Sequence, residues 1–330
     1  MAEAIVLRTH GGPQMLQASP VEVGRPGPTQ VRLRHTKIGV NFHDTYVRSV
    51  LYRTLALPGI LGIEAVGIVE EVGADVAGWK VGDRAAYIAS NYGAYSSERL
   101  LEAQLLLAIP SSVSDQTAAS LLLRGLTVEM LVNQVVTVRA SSTILVQAAG
   151  GGVGQLLCRW ARHLGATVIG TAGSDRTAQI ATDAGCHHVI RYRTDDVAAQ
   201  VKALTQGRGV DVAFDAVGKD TFAGSLDSLA LRGELVNYGQ ASGSVPAFEV
   251  SRLAAKSNSV SRPIVSHYII DKQERERMAR SVFDALAQGW LSVASSMEFK
   301  LADAAQCHRV LESQGASVPL LLVPKVWFAR

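Results

Sequence analysis

The spacing of apolar and polar residues changes character along the chain. In the first third, Val31-Arg32-Leu33-Arg34 alternates apolar and charged positions, which predicts a half-buried strand. Residues 61–72, LGIEAVGIVEEV, predict another, closed by Gly73. Val81-Gly82-Asp83-Arg84 reads as a turn into the apolar run 85–89. Glycine recurs at short intervals, as in an antiparallel barrel of short strands. Around Ser114 the pattern changes: Ser114, Asp115 and Gln116 precede an Ala/Leu run, which predicts a helix N-cap and helix.

From about residue 121 to 265, helical and strand periods alternate. Residues 143–148, TILVQA, predict a short buried strand, and 150–154 a turn. Over 155–164, Leu156, Leu157, Trp160, Ala161 and Leu164 share one helical face, and Gly165 stands where a helix would end. Strands are predicted at 166–170, 188–191, 210–214 and 234–238, with helices at 195–204 and 220–231. Repeated units of this kind predict a parallel sheet with helices on both faces. A last strand is expected at 259–264, a helix at 273–288, and short strands around a helix at 302–313 within 297–330.

Composition narrows the classes. At 330 residues, 48% hydrophobic and 18% charged, the chain has length for two domains and too much apolar content for disorder. With 32 basic and 29 acidic residues it carries no electrostatic footprint for nucleic acid or a membrane surface, although a local basic patch stays open. The start, MAEAIVLRTHGG, does not read as a secretory leader, and no apolar run is long enough to span a bilayer. Cys158, Cys186 and Cys307 are far apart in sequence, without a CxxC pair, so a reducing cytoplasm is expected and a disulfide framework is not.

The sharpest chemical signal is Ala148-Ala149-Gly150-Gly151-Gly152-Val153-Gly154, between a predicted strand and a predicted helix. Its spacing suits a dinucleotide. Gly151 lets the backbone approach a pyrophosphate, Gly154 lets helix and strand pack closely, and amides at the helix start face the phosphates. The bland alternative is a merely tight turn. Beyond the next strand, an NAD site would carry an acid. Here the chain reads Gly173-Ser174-Asp175-Arg176. Gly173 and Ser174 leave room and a donor for a 2′-phosphate, Arg176 could pair with it, and Tyr192 could reach it. An ordinary capping serine beside a solvated arginine is the alternative, and Asp175 facing the ribose would admit NADH.

Five stretches together resemble one family: Gly39-Val40-Asn41-Phe42-His43-Asp44-Thr45-Tyr46, Leu61-Gly62-Ile63-Glu64-Ala65-Val66-Gly67, Gly93-Ala94-Tyr95-Ser96, Arg124-Gly125-Leu126-Thr127, and the glycine turn. The chain resembles the zeta-crystallin-like NADPH:quinone oxidoreductases of the medium-chain dehydrogenase/reductase superfamily over nearly its whole length. The resemblance implies an α/β protein with a GroES-like β-barrel catalytic domain, residues 1–122 and 266–330, around a Rossmann doubly wound parallel sheet, residues 123–265. It implies NADPH as cofactor, with Phe42, His43, Asp44, Thr127, Met130, Gly151, Gly152, Val153, Gly154, Gly173, Ser174, Arg176, Tyr192, Val217 and Gly239 at its site. Asn41, Tyr46 and Tyr52 are the implied catalytic residues, and a cytoplasmic homodimer is the implied assembly. Asp44 is equally a buried structural acceptor, and His43 is either a proton donor or a neutral hydrogen-bonded side chain.

The zinc-dependent sister enzymes carry Cys where this chain has Asn41, His where it has Ile63, and a second Cys near Arg124. No metal is therefore expected, since zinc needs three or four ligands. Quinone reduction asks only for orientation and a few donors to the oxygen. Reduction of an activated C=C bond by an alkenal or enoyl reductase is the enzymatic alternative. A non-catalytic nucleotide- or RNA-binding relative is the alternative of another class.

Overall fold

A computed structural model describes residues 1–314 and 317–325. The sequence-stretch 297–330 thus falls partly outside the described residues. The chain divides into two compact units. One comprises Met1–Leu123, Ile270–Ala279 and Val293–Arg330; the other comprises Arg124–Ile269 and Arg280–Ser292. Residues 266–269 and 280–292, expected with the barrel, group with the parallel sheet instead.

The first unit is built on a seven-stranded sheet and a three-stranded sheet. The alternating run at Val31 is the start of a long strand, Gln30–Val40, which pairs antiparallel with Glu64–Val72. Arg84–Ile88 and Leu106–Ala108 extend the sheet on one side, and Leu320–Val323 and Met297–Lys300 on the other. Glu98–Glu102 also pairs with Gln30–Val40. Val31, Leu33 and Ile38 are buried while Arg32 and Arg34 pair with Glu71 and Glu70. The helix expected after Ser114 is Asp115–Glu129, and Ser114 Oγ accepts from the Thr117 N–H at 3.1 Å.

The second unit is a six-stranded parallel sheet. Its strands run in the order His188–Arg191, Thr167–Ala172, Thr143–Val146, Val210–Asp215, Leu229–Asn237, Ser259–Ser261. The chain moves outward from Thr143–Val146 in one direction, then returns to its other side at Val210–Asp215. That reversal defines the crevice where such sheets take ligands, at the carboxyl ends of the strands. Leu145, Ile169, Ile190, Val210, Phe222, Leu226 and Leu235 form one buried cluster. Each such side chain contributes about 1.5–3 kcal/mol by leaving water.

One sequence expectation fails here. The helix expected over 220–231 is only Phe222–Asp227, and Leu229 already opens a strand. Leu229 is buried beside Val210, whereas Leu231 is exposed and Arg232 has φ +62°. Strand pairing overrides the helical spacing of these leucines. The strand expected at 259–264 stops at Ser261.

Candidate active site

In the first unit the candidates gather around the short helix Phe42–Arg48. Asn41 precedes it. Its backbone N–H donates to Asp44 Oδ2 at 2.8 Å, and its Nδ2 donates to Glu64 Oε1 at 2.7 Å. Glu64 is buried, and its Oε2 accepts from the Leu123 N–H at 3.1 Å. Gly39 makes that placement possible: a Cβ there would lie 2.2 Å from Glu64 Oε1. A buried carboxylate thus fixes the Asn41 amide and leaves its second N–H as a donor.

Asp44 is wholly buried, which fits the structural-acceptor alternative. Tyr95 Oη donates to Asp44 Oδ2 at 3.0 Å. Arg48 Nη1 donates to His308 Nδ1 at 2.9 Å, so His308 carries its proton on Nε2 and donates it to Tyr95 Oη at 2.9 Å. The donors in this chain therefore all point toward Asp44. Burial, with a smaller push from Glu64, raises the Asp44 carboxyl to about 7 despite the bonds from Asn41 and Tyr95.

The rings of Tyr46, Tyr52 and His43 do come together. Beyond the helix, Val50 takes φ +68° and the chain doubles back so that the Tyr52 N–H donates to Tyr46 O at 3.0 Å. The Tyr46 and Tyr52 rings meet edge-on at 5.2 Å, and His43 lies 5.7 Å from Tyr52. Phe42 approaches Tyr46 at 6.4 Å. Tyr92, which sequence reasoning missed, stacks on His43 and shares a hydrogen bond with its Nε2 at 3.1 Å. Burial lowers the His43 imidazole to about 4, so it is neutral near pH 7. The hydrogen bond to Tyr92 and the lowered imidazole suit the neutral hydrogen-bonded alternative for His43.

In the second unit, Gly151, Gly152, Val153 and Gly154 form the turn and first residues of the helix Gly152–His163. A Cβ on Gly154 would lie 2.3 Å from the Ala148 carbonyl oxygen, so glycine is required for the close packing. A Cβ on Gly152 would meet Arg124 Nε at 3.3 Å. The Arg124 guanidinium therefore lies against the helix start. Gly173 faces Tyr192, whose hydroxyl would stand 2.5 Å from a Cβ there. Ser174 caps the helix Asp175–Asp183 through the Thr177 N–H, so its capping role is present, while its side chain remains at the surface. Arg176 and Tyr192 are exposed. Asp175 pairs with Arg191.

Val217 and Gly239 follow the ends of two further strands, and both are half-buried. The Val217 N–H donates to Asp215 Oδ1 at 2.8 Å. Thr127 is half-buried, but Met130 is a core residue opening a wide helical turn, Met130–Val135. Cys158, Cys186 and Cys307 are free and buried.

Among the described residues, no group of three or more His, Cys, Asp or Glu side chains could hold a metal ion. Near Asn41 the donor set is an amide and the Glu64 carboxylate, whose oxygens already serve Asn41 and Leu123. These residues do not fit zinc. The glycine cradle, open where any Cβ would intrude, does fit a dinucleotide pyrophosphate.

A GroES-like barrel and a doubly wound sheet with a glycine-rich phosphate turn define a nucleotide-dependent oxidoreductase. Residues 27–111 match the alcohol dehydrogenase GroES-like domain, and residues 152–284 match the zinc-binding dehydrogenase family. A 2-haloacrylate reductase from Burkholderia sp is 40% identical, over 98% of this chain and 100% of that protein. A quinone oxidoreductase structure from Pseudomonas syringae pv. tomato DC3000 is 42% identical, with TM-score 0.95 over 98% of this chain and 100% of that one. The Escherichia coli quinone oxidoreductase complexed with NADPH is 38% identical, with TM-score 0.95 and the same coverage. The chain belongs to the quinone oxidoreductase family of the medium-chain dehydrogenases/reductases.

Proposed function

We propose that the protein is an NADPH-dependent quinone reductase that works without zinc. The observation that carries this reading is the second unit's phosphate site. Its glycine turn is complete, and Gly173, Ser174, Arg176 and Tyr192 replace an NAD-selecting acid, while Asp175 is held by Arg191.

Amides at Gly152 and Val153 would receive the pyrophosphate, with Gly151, whose own N–H closes the turn onto the Ala148 carbonyl, letting the backbone approach and Gly154 keeping the helix close. Ser174, Arg176 and Tyr192 would receive the 2′-phosphate over Gly173. Thr127, Val217 and Gly239 would line the remaining nucleotide, with Met130 supporting from the core. Phe42 and His43 would shape the nicotinamide side, with Asp44 ordering their helix from below. When bound, NADPH supplies a hydride at C4 of its nicotinamide.

Asn41 keeps one amide hydrogen on Glu64 and offers the other to the quinone oxygen. Tyr46 and Tyr52 orient the ring. A neutral His43 gives no proton at pH 7, so the hydroquinone anion takes its proton from water. A delocalised anion needs only such modest donors.

The 40% identity to a 2-haloacrylate reductase supports a second reading, reduction of an activated C=C bond. Steady-state NADPH oxidation across ortho-quinones, para-quinones, enones and 2-haloacrylate separates the two. Turnover of the alkenes alone would overturn the quinone reading, and no acceptor-dependent oxidation would favour a non-catalytic binder.

The same reading includes a cytoplasmic homodimer. No helix among the described residues is long and apolar enough to cross a membrane, and the buried free thiols suit a reducing compartment. The strand Ser259–Ser261 ends the parallel sheet, and an unpaired edge there suits a twin across a two-fold axis. Sedimentation at micromolar concentration tests the dimer.

A further inference from the structure

Beneath the crevice of the parallel sheet lies a buried run of polar side chains that the proposed chemistry does not use. Gln147, Thr171, Asp215 and Ser225 are each at most 1% exposed. The Ala148 N–H donates to Thr171 Oγ1 at 3.1 Å, and Thr171 Oγ1 donates to Gln147 Oε1 at 2.7 Å. Gln147 Nε2 donates to Ser225 Oγ at 2.9 Å, and Ser225 Oγ donates to Asp215 Oδ2 at 3.3 Å. Each hydroxyl has one proton, so the direction is fixed throughout. Thr171 accepts from an amide, must spend its proton on Gln147, and thereby sets which way the Gln147 amide faces.

The relay ends in a carboxylate that accepts several further hydrogen bonds. Asp215 Oδ1 accepts from the N–H groups of Val217 at 2.8 Å and Gly218 at 3.0 Å. The Asp215 backbone carbonyl accepts from the Tyr238 N–H at 2.9 Å and the Gly239 N–H at 3.3 Å. Thr171 stands two residues before Gly173. One relay therefore joins four segments that leave different strands: the glycine turn, the 173–176 loop, the 217–218 turn and the 238–239 turn.

We propose that Gln147, Thr171, Ser225 and Asp215 are positioning residues for the nucleotide, fixing the spacing of these four loops. The proposal rests on the reading of this crevice as the NADPH site. A dinucleotide touches the loops at separated points, so affinity depends on their relative placement to within about half an ångström. None of the four residues needs to touch the ligand. Apolar packing could stabilise the sheet equally well, but it could not dictate the direction and length of each link between loops.

The test uses Thr171→Val, which keeps shape and removes the hydroxyl, Thr171→Ser, which restores it, and Ser225→Ala at the far end. Each full-length protein is titrated with NADPH, assayed with a quinone at saturating NADPH, and melted. Thr171→Val and Ser225→Ala should raise Kd and KM for NADPH by about tenfold, as displaced binding groups do, with kcat changed far less. Thr171→Ser should recover the affinity. A fall in melting temperature with NADPH affinity unchanged in both variants would overturn the positioning role. Failure of the wild-type protein to bind NADPH would instead overturn the nucleotide reading itself.

Discussion

Alanine at Gly154 puts two opposing effects on one atom. The residue lies in the first turn of the helix Gly152–His163 without a left-handed φ, so alanine should favour the helix by up to about 1 kcal/mol. Its Cβ, however, would stand 2.3 Å from Ala148 O, 2.9 Å from Ala149 Cα and 3.0 Å from Ala149 C. All three are backbone atoms, so no rotamer relieves the clash. The helix start must move off the turn by about 1 Å to reach ordinary C···O contact. Overpacking costs about 1–3 kcal/mol and sometimes more, and a backbone-on-backbone contact belongs at the upper end. The net loss should be about 2 kcal/mol or more, several degrees in Tm. Gly152→Ala is the contrast. Its nearest neighbour is the Arg124 side chain at 3.3 Å, which can yield, while Gly151→Ala meets Ala148 O at 3.1 Å. Calorimetry and NADPH titration of the three variants should therefore split them. Tm falls markedly only in Gly154→Ala, whereas NADPH affinity falls in all three. A Gly154→Ala protein melting like wild type, or a Gly152→Ala protein binding NADPH like wild type, would refute the steric reasoning.

Other outcomes follow from the two sites. Arg176→Ala should weaken NADPH by about 1.5–3 kcal/mol, toward the lower end because the side chain is exposed, and leave NADH nearly unchanged; equal losses in Kd would defeat the 2′-phosphate assignment. Tyr52→Phe should lower kcat/KM by no more than about tenfold, roughly 1.4 kcal/mol, and Asn41→Ala by more, because it also strips Glu64 Oε1 of a donor. His43→Ala should leave the shape of the pH–rate profile between pH 5 and 8 intact, since the imidazole titrates near 4; loss of a limb near pH 6–7 would make His43 an acid after all. Burial lowers His35 to about 3, His43 to about 4 and His308 to about 3. Below the unfolded value of 6.5 the unfolded chain then binds more protons, so this stability is present above pH 6.5 and lost as pH falls toward 4, by up to about 1.4 kcal/mol per unit for each histidine. Asp44, raised to about 7, acts oppositely, being stabilising below about 4 and losing that as pH rises through 7. Three groups outweigh one, so Tm should drop between pH 6.5 and 4.5; a rise in thermal melts would contradict the burial argument.

Much of this architecture was already legible in local sequence. Parallel strands at 143–146, 167–172 and 188–191 are short apolar runs, and the glycine turn between strand and helix announces a phosphate seat, because both depend on residues adjacent in the chain. The expected helix over 220–231 failed for the opposite reason. Leu229 is paired with Val210 across the sheet, a partner no local window contains. Candidate chemistry divides the same way. The family resemblance named Asn41, Tyr46 and Tyr52, whereas the helix Phe42–Arg48 that groups them has no counterpart in the strand-like reading of the first third.

What holds those residues required the tertiary structure. Asn41 is oriented by Glu64, which Gly39 accommodates from the neighbouring strand. Tyr95 and His308, far apart in sequence, meet at Asp44, and Tyr92 comes to lie on His43. The Gln147–Asp215 relay joins strand ends 68 positions apart in the chain; only parallel pairing of their strands makes them neighbours. Composition and period fix which segments are apolar and how they turn. Hydrogen bonds between distant polar side chains depend on distances that sheet register sets, and these only the folded chain determines.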